Sequence, residues 1–431
     1  GRGPLPTPES PKLGFSELRT AAFAEAIRAT GAELRIVLLV PQREHDGESS
    51  PRVWPGVTSV VENSPGWIDH VQSASEGADG IVSAGPFAPG RVAAAIAGNT
   101  PLWVDIPGDP LAELAALARA EGSQVDDSTI AAAHAACTAV LSRADAISVI
   151  SGAQRFSALG QLGLMGRTLR SDTTPSVAVI PITANFGFNR TVARHDARSG
   201  SATIALAGAF NPWFNDRAVC QALDVALAAR PGFRVAVTGG GISGFYEEGF
   251  KRFQRWAKRH PDRVVIHGWL PHAEMERVLK QADIGMTMDC GGPEPELGSR
   301  TRLLLFAELG LIPASTVVCE LSRSWAEAEA LIPLESDPEH AGRTLAGIDV
   351  KDAALVNRAR NLIAGSIQSD PFNNWCKAPF RTGPGIANEG ILAAEVEALK
   401  AELSRIHNSP TWTALSRLHT LSRGRFIRPR G

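Results

Sequence analysis

Short apolar runs alternate with alanine-rich stretches of helical length, and this pattern constrains the fold more than any other feature of the chain. The runs cover residues 36–40, 80–84, 102–106, 146–150 and 177–182, with stretches such as 17–30 and 128–141 between them. Runs this short, each followed by a helix, predict βαβ units and a parallel sheet. A second series follows at 203–207, 234–238, 264–267, 284–289 and 314–318, after a polar interruption at 189–201 that reads as a linker. Two such series predict an α/β chain with two Rossmann-like domains facing across a cleft. The expected division is 1–195, 196–375 and a helical remainder, 376–431, that crosses back to the first domain. In open α/β sheets ligands bind beyond the carboxyl ends of the strands. A motif therefore gains weight when it lies at a strand's carboxyl end.

The length of 431 residues is enough for two such cores, and a net charge of −2 argues against a protein built to coat nucleic acid. The five cysteines are scattered and form no C-x-x-C pair, which excludes the usual zinc spacings and fits a reducing, cytoplasmic setting. No metal site is expected. No apolar run reaches the length of a membrane span, and no signal peptide is visible. Gly1-Arg-Gly-Pro-Leu-Pro6 reads as the loop after a first strand, so the chain is expected to begin a few residues late.

The most chemical stretch follows the apolar run that ends at Asp289. It continues through a Gly/Pro loop to Glu296-Leu-Gly-Ser-Arg-Thr-Arg302 and a helix of about three turns closed by Gly310. Free N–H groups at a helix start attract anions, and Arg300 and Arg302 add fixed charge there. Glu296 is an acceptor suited to sugar hydroxyls. Donors for a diphosphate beside an acceptor for hydroxyls suit a nucleotide sugar, while a solvated loop is the plainer reading. At the end of the run 203–207, Gly208 allows close backbone approach, and Asn211 and Trp213 offer an amide and a flat indole. Gly239-Gly240-Gly241-Ile-Ser-Gly244 matches G-x-G-x-x-G, but the next strand ends without a ribose-binding acid. A turn that admits phosphate or backbone is expected there, and nicotinamide binding is the weaker alternative.

These segments resemble the donor site of the two-Rossmann-domain (GT-B) glycosyltransferases, specifically the large retaining family rich in bacterial cell-surface polysaccharide enzymes (family 4-like). Glu296-Leu-Gly-Ser-Arg-Thr-Arg302 with Gly310-x-x-Pro313 is similar to a subgroup signature, and Gly208-Ala-Phe210-Asn-Pro-Trp213 to its first donor loop. The resemblance implies a hexosyltransferase-like enzyme whose substrate is a nucleotide sugar, with no further cofactor, acting with retention on a glycan or lipid-linked acceptor. It implies Glu296, Arg300 and Asp109 as catalytic residues. Gly208, Phe210, Asn211, Trp213, Gly240, His267, Ser299 and Arg302 would bind the donor. The acceptor side falls to Arg19, Asp105, Gln154 and Arg155, the last two in a Ser-x-x-Gln-Arg-type motif. Asp109 equally reads as the cap of the following helix. The chain departs from the family twice. Leu304 or Leu305 stands where relatives hold the ribose with an acid, and no Arg/Lys pair follows Gly208. Those departures motivate an alternative, a catalytically silent scaffold in a polysaccharide assembly complex.

The end of the chain carries a separate signal. Val396, Leu399, Leu403 and Ile406 recur at helical spacing, and Arg405, Arg417, Arg423, Arg425, Arg428 and Arg430 follow Glu402 with no acid among them. A basic amphipathic tail of this kind fits an anionic membrane surface. Peripheral attachment to the inner face of a membrane is therefore expected.

Overall fold

A computed structural model describes residues 15–40, 57–61, 64, 66–84, 87–169, 171–182, 201–364 and 370–383. The acceptor loop at 3–14, the linker at 189–200 and the basic tail lie outside the described residues.

The first half runs α1 (Phe15–Ala29), β1 (Ile36–Val40), β2 (Val57–Val61), α2 (Trp67–Ser75), β3 (Ile81–Ser83), α3 (Phe87–Ile96) and β4 (Leu102–Ile106). It continues with α4 (Pro110–Glu121), α5 (Asp127–Arg143), β5 (Ala146–Val149), α6 (Gly152–Leu164) and β6 (Ser176–Val179). β1 and β2 form a parallel pair, and β3-β4-β5-β6 form a parallel sheet of four. Every residue of β4 and β5 is buried, as the middle strands of a sheet covered on both faces require.

The second half runs β7 (Ala202–Ala209), α7 (Asp216–Ala229), β8 (Phe233–Gly240), α8 (Glu248–Ala257), β9 (Val264–Gly268), α9 (His272–Leu279) and β10 (Ile284–Thr287). It continues with α10 (Pro293–Leu297), α11 (Thr301–Leu309), β11 (Ile312–Thr316), α12 (Glu320–Glu327), β12 (Ile332–Leu334), α13 (Pro338–Gly347), α14 (Ala353–Ala364) and α15 (Asp370–Lys377). The six strands lie in the order β12-β11-β10-β7-β8-β9. The chain builds outward from β7 to β9, then returns to β7's other side with β10. The direction of building reverses between β7 and β10, which is the place where doubly wound sheets bind ligands.

The helix expected before Gly310 is α11, and the Gly/Pro loop ahead of it contains an additional short helix, α10, separated from it by residues 298–300. Gly298 and the extended backbone of Arg300 break the run before Thr301, and Gly310 at φ +84° closes α11 as anticipated. Gly285 fixes α11 tightly on β10, because a Cβ there would stand 2.1 Å from the Phe306 ring.

The two halves share a core. Ile150 and Ile182 from the first half pack with Leu303, Leu304, Trp325 and Leu331 from the second. α15 returns to the first half, where Phe372 stands 4.7 Å from Phe23 and 4.9 Å from Trp103, ring centre to ring centre.

Candidate functional site

The loops after β7 and β10 are knitted together at the switch point. Phe214 bridges to Asp289 in antiparallel fashion, the Asn215 N–H donates to the Met288 carbonyl at 2.9 Å, and the Cys290 N–H donates to the Trp213 carbonyl at 2.8 Å. This joins the Asn211–Trp213 segment to the Glu296–Arg302 segment, as a shared site requires. The β8 and β9 loops are joined in the same way, with the Trp269 indole N–H donating to the Gly241 carbonyl at 3.1 Å.

Gly208 and Gly239 face each other across the register of β7 and β8. A Cβ on Gly239, whose φ is +97°, would lie 2.3 Å from the Gly208 carbonyl oxygen. Gly239 is thus required by strand packing. The backbone of Gly240 accepts from the Phe210 N–H at 3.0 Å, which holds the first loop against the second.

The two arginines behave differently. The Arg300 side chain is buried, and donates to Asp289 at 2.8 Å and Glu294 at 3.2 Å. Burial works against its charge, but the two carboxylates outweigh that and hold the guanidinium above its usual range. This corrects the expectation of Arg300 as an open anion site, since its donors are already engaged. Arg302 reaches back over β10. Its guanidinium lies 4.7 Å above the Phe214 ring, donates to the Ala209 carbonyl and comes within 3.5 Å of the Thr287 hydroxyl. Burial lowers its pKa to about 10, so it stays charged at neutral pH. No carboxylate pairs with it among the described residues, and a half-buried cation without an anion attracts one.

The carboxylates divide along the same line. Glu296 is exposed on α10, while Glu294, which the sequence reading passed over, is buried against Arg300. Burial raises Glu294 to about 7. Across the interdomain contact Glu113 of α4 is also raised to about 7, by burial and by the charges of Glu294 and Asp109. Ser299 is half-buried and its carbonyl accepts from Arg300. His267 is exposed at the carboxyl end of β9, the edge strand. Phe210 is a correction. It is buried among Phe214, Phe250 and Phe253, so it holds the loop from beneath and offers no face to a ligand. Leu304 and Leu305 are buried apolar residues with no acceptor to give a ribose.

The residues expected on the acceptor side are mostly engaged within the first half. Arg19 and Asp105 form a buried two-bond pair at 2.7 and 2.9 Å, and Arg19 also donates to the Ile180 and Pro181 carbonyls. Asp105 accepts from Ser148 at 2.6 Å, and Ser148 accepts from the Trp103 indole. Gln154 accepts from the Ile150 N–H and donates to the Ile106 carbonyl, tying β4 to β5. Asp109 caps α4 through the Leu111 and Ala112 N–H groups, and its second oxygen accepts from Ser157 and Gln161. Arg19, Asp105 and Gln154 thus act as framework, with little hydrogen-bonding capacity left for a ligand, and Asp109 takes the helix-capping role that was one of its two readings. Arg155 donates to the Val177 carbonyl and stays half-buried.

The halves meet at this same place. Arg119 donates to the Gly291 carbonyl, and the Ser151 hydroxyl donates to the Leu297 carbonyl at 2.6 Å. The Gly152 and Ala153 N–H groups at the start of α6 donate to Glu320 at 2.6 and 3.3 Å.

No protein-family model and no curated protein matches this chain. Solved structures do. Sucrose-phosphate synthase from Thermosynechococcus elongatus is 14% identical, with 92% of this chain and 99% of that chain covered and a TM-score of 0.57. Anabaena HepE, solved with UDP-glucose, is also 14% identical, with 86% and 96% covered and a TM-score of 0.57. An Escherichia coli trehalose-6-phosphate protein, solved with UDP-2-fluoro glucose, is 10% identical, with 87% and 96% covered and a TM-score of 0.52. The fold is therefore the two-domain, Rossmann-like GT-B fold.

Proposed function

We propose that this chain transfers a sugar from a nucleoside-diphosphate donor to a hydroxyl of a glycan or lipid-linked acceptor, with retention. One observation carries the reading: among the described residues Arg302 holds a charge with no carboxylate partner at the switch point of the second sheet, where the β7 and β10 loops meet the other half. Two of the similar structures were solved with a UDP-sugar. In this reading Arg302 faces the diphosphate and stabilises the charge that develops as the sugar leaves. Asn211, Trp213, His267 and Ser299 line the nucleotide, and Glu296 orients the sugar. A diphosphate oxygen takes the acceptor proton on the same face, so no protein nucleophile and no cofactor are needed. The setting is cytoplasmic, with the basic tail on an anionic membrane.

Thermal-shift titration with UDP-, GDP-, ADP- and dTDP-sugars tests this. One of them should stabilise the protein, and Arg302→Met should weaken its binding by roughly 10–100-fold, the loss of one charge-assisted contact of about 1.5–3 kcal/mol. A silent scaffold is the second reading, favoured by buried Leu304 and Leu305 and by the engaged Arg300. Absence of any nucleotide effect would select it.

A further inference from the structure

Each half completes a piece of backbone that belongs to the other. Ser151 caps α6 and accepts from the Gln154 N–H at 3.0 Å, which satisfies one of the free donors at a helix start. The two donors ahead of it, on Gly152 and Ala153, reach Oε2 of Glu320, the first residue of α12 in the second half. Gly152 makes room for that carboxylate, because a Cβ there would stand 2.9 Å from the same oxygen. The reverse arrangement occurs at the loop after β10. Arg119 of α4 donates to the Gly291 carbonyl, and a Cβ on Gly292 would stand 2.5 Å from its guanidinium nitrogens. A carboxylate of the second half thus rests on N–H groups of the first, and a guanidinium of the first rests on a carbonyl of the second. A glycine admits each of them, and both charged side chains are exposed. The Ser151 hydroxyl adds a third contact, to the carbonyl of Leu297, the last residue of α10 and the one just ahead of the segment that carries Arg302.

We propose that Glu320 and Arg119 form a two-point latch that holds the halves in this closed arrangement, with the apolar cluster of Ile150, Ile182, Leu303 and Trp325 as the pivot. Interfaces between domains of one chain permit relative motion unless they are large and apolar. A carboxylate at an exposed helix start is a weak contact that salt screens, so a latch built on it can open and close. A cap for α6 alone would need no residue from the other half. Supplying it from α12 makes the helix start complete only when the halves are together. The latch reaches the candidate site through Ser151. With the halves closed, its hydroxyl holds the Leu297 carbonyl and fixes where residues 298–302 begin. Glu320 and Arg119 are positioning residues, since they act on the Arg302 segment through the backbone. Their use in transfer rests on the proposed activity, whereas the latch itself does not.

Small-angle X-ray scattering of the full chain without nucleotide tests this, on wild type, Glu320→Ala, Arg119→Ala, the double variant and Gly152→Ala. Each single change should enlarge the radius of gyration, and the double change should enlarge it further. Gly152→Ala should act like Glu320→Ala and add nothing to it, because both remove the same contact. High salt should enlarge wild type but not the double variant. Hydrogen exchange in the peptide 150–156 should be about 2–5-fold faster in Glu320→Ala. An unchanged radius in the double variant would overturn the latch. Faster exchange without a larger radius would also overturn it, leaving Glu320 as a cap for α6 and nothing more. These readouts need no donor, so the latch can fail while the transfer reading stands. A protein that opens on these changes yet responds to no sugar nucleotide would keep the latch and lose the transfer reading.

Discussion

Both halves of the molecule place polar side chains at strand ends, yet they use them in opposite ways. In the first half Arg19, Asp105, Ser148, Gln154 and Asp109 satisfy one another and the nearby backbone. In the second half Arg302, Glu296 and His267 hold charge or hydrogen-bonding capacity toward the surface or the interdomain contact. Arg300 shows that the difference lies in the partners. It belongs to the second half but behaves like Arg19, because Asp289 and Glu294 stand close enough to claim it. A polar residue at a strand end is thus available to a ligand only where the fold leaves part of its charge or hydrogen-bonding capacity unused.

The sharpest way to break this comparison is Asp105→Ala. It strands the Arg19 guanidinium in the core and should cost about 3–5 kcal/mol of stability, read by urea denaturation. A loss near zero would mean the first half's network is not framework. Gly239→Ala comes next, at about 3 kcal/mol, since the new Cβ meets the Gly208 carbonyl in a left-handed backbone. Its effect on Tm should appear with or without nucleotide present.

The pH dependence is smaller and concerns the seam between the halves. Glu113 and Glu294 are both raised to about 7, above the unfolded value of about 4.3. Such acids bind more protons when folded. Their contribution is complete below the unfolded pKa and is lost as pH rises through about 7. Tm should therefore decline from about pH 5 to pH 8, and Glu113→Gln with Glu294→Gln should flatten the profile. The smallest expected effect is Glu296→Gln, within about 0.5 kcal/mol of wild type in stability because the side chain is exposed. Loss of transfer activity without loss of stability would sharpen the contrast with Asp105.

Much of the fold was legible from periodicity. The runs at 102–106 and 36–40 became β4 and β1, and Gly310 closed its helix. β2 and β12 were not legible. β12, Ile332–Leu334, is three residues long with a proline in the middle, too short to show a period. α10 was not legible either, because its five residues, Pro293–Leu297, are too short for a helical period and hold two prolines. Of the site, the meeting of the β7 and β10 loops was visible as two motifs at strand ends. Glu294 was not, because nothing local distinguishes it from Glu296 two residues later.

The sequence alone determined where parallel strands form, which loops leave their carboxyl ends and which glycines the turns demand, because periodicity and φ preference act over a few residues. Only the tertiary structure decided that Arg302 has no carboxylate partner among the described residues while Arg300, two positions away, is buried between acids. Such pairing depends on what distant strands bring within about 3 Å, and hydrogen bonding acts over that distance whatever the separation along the chain.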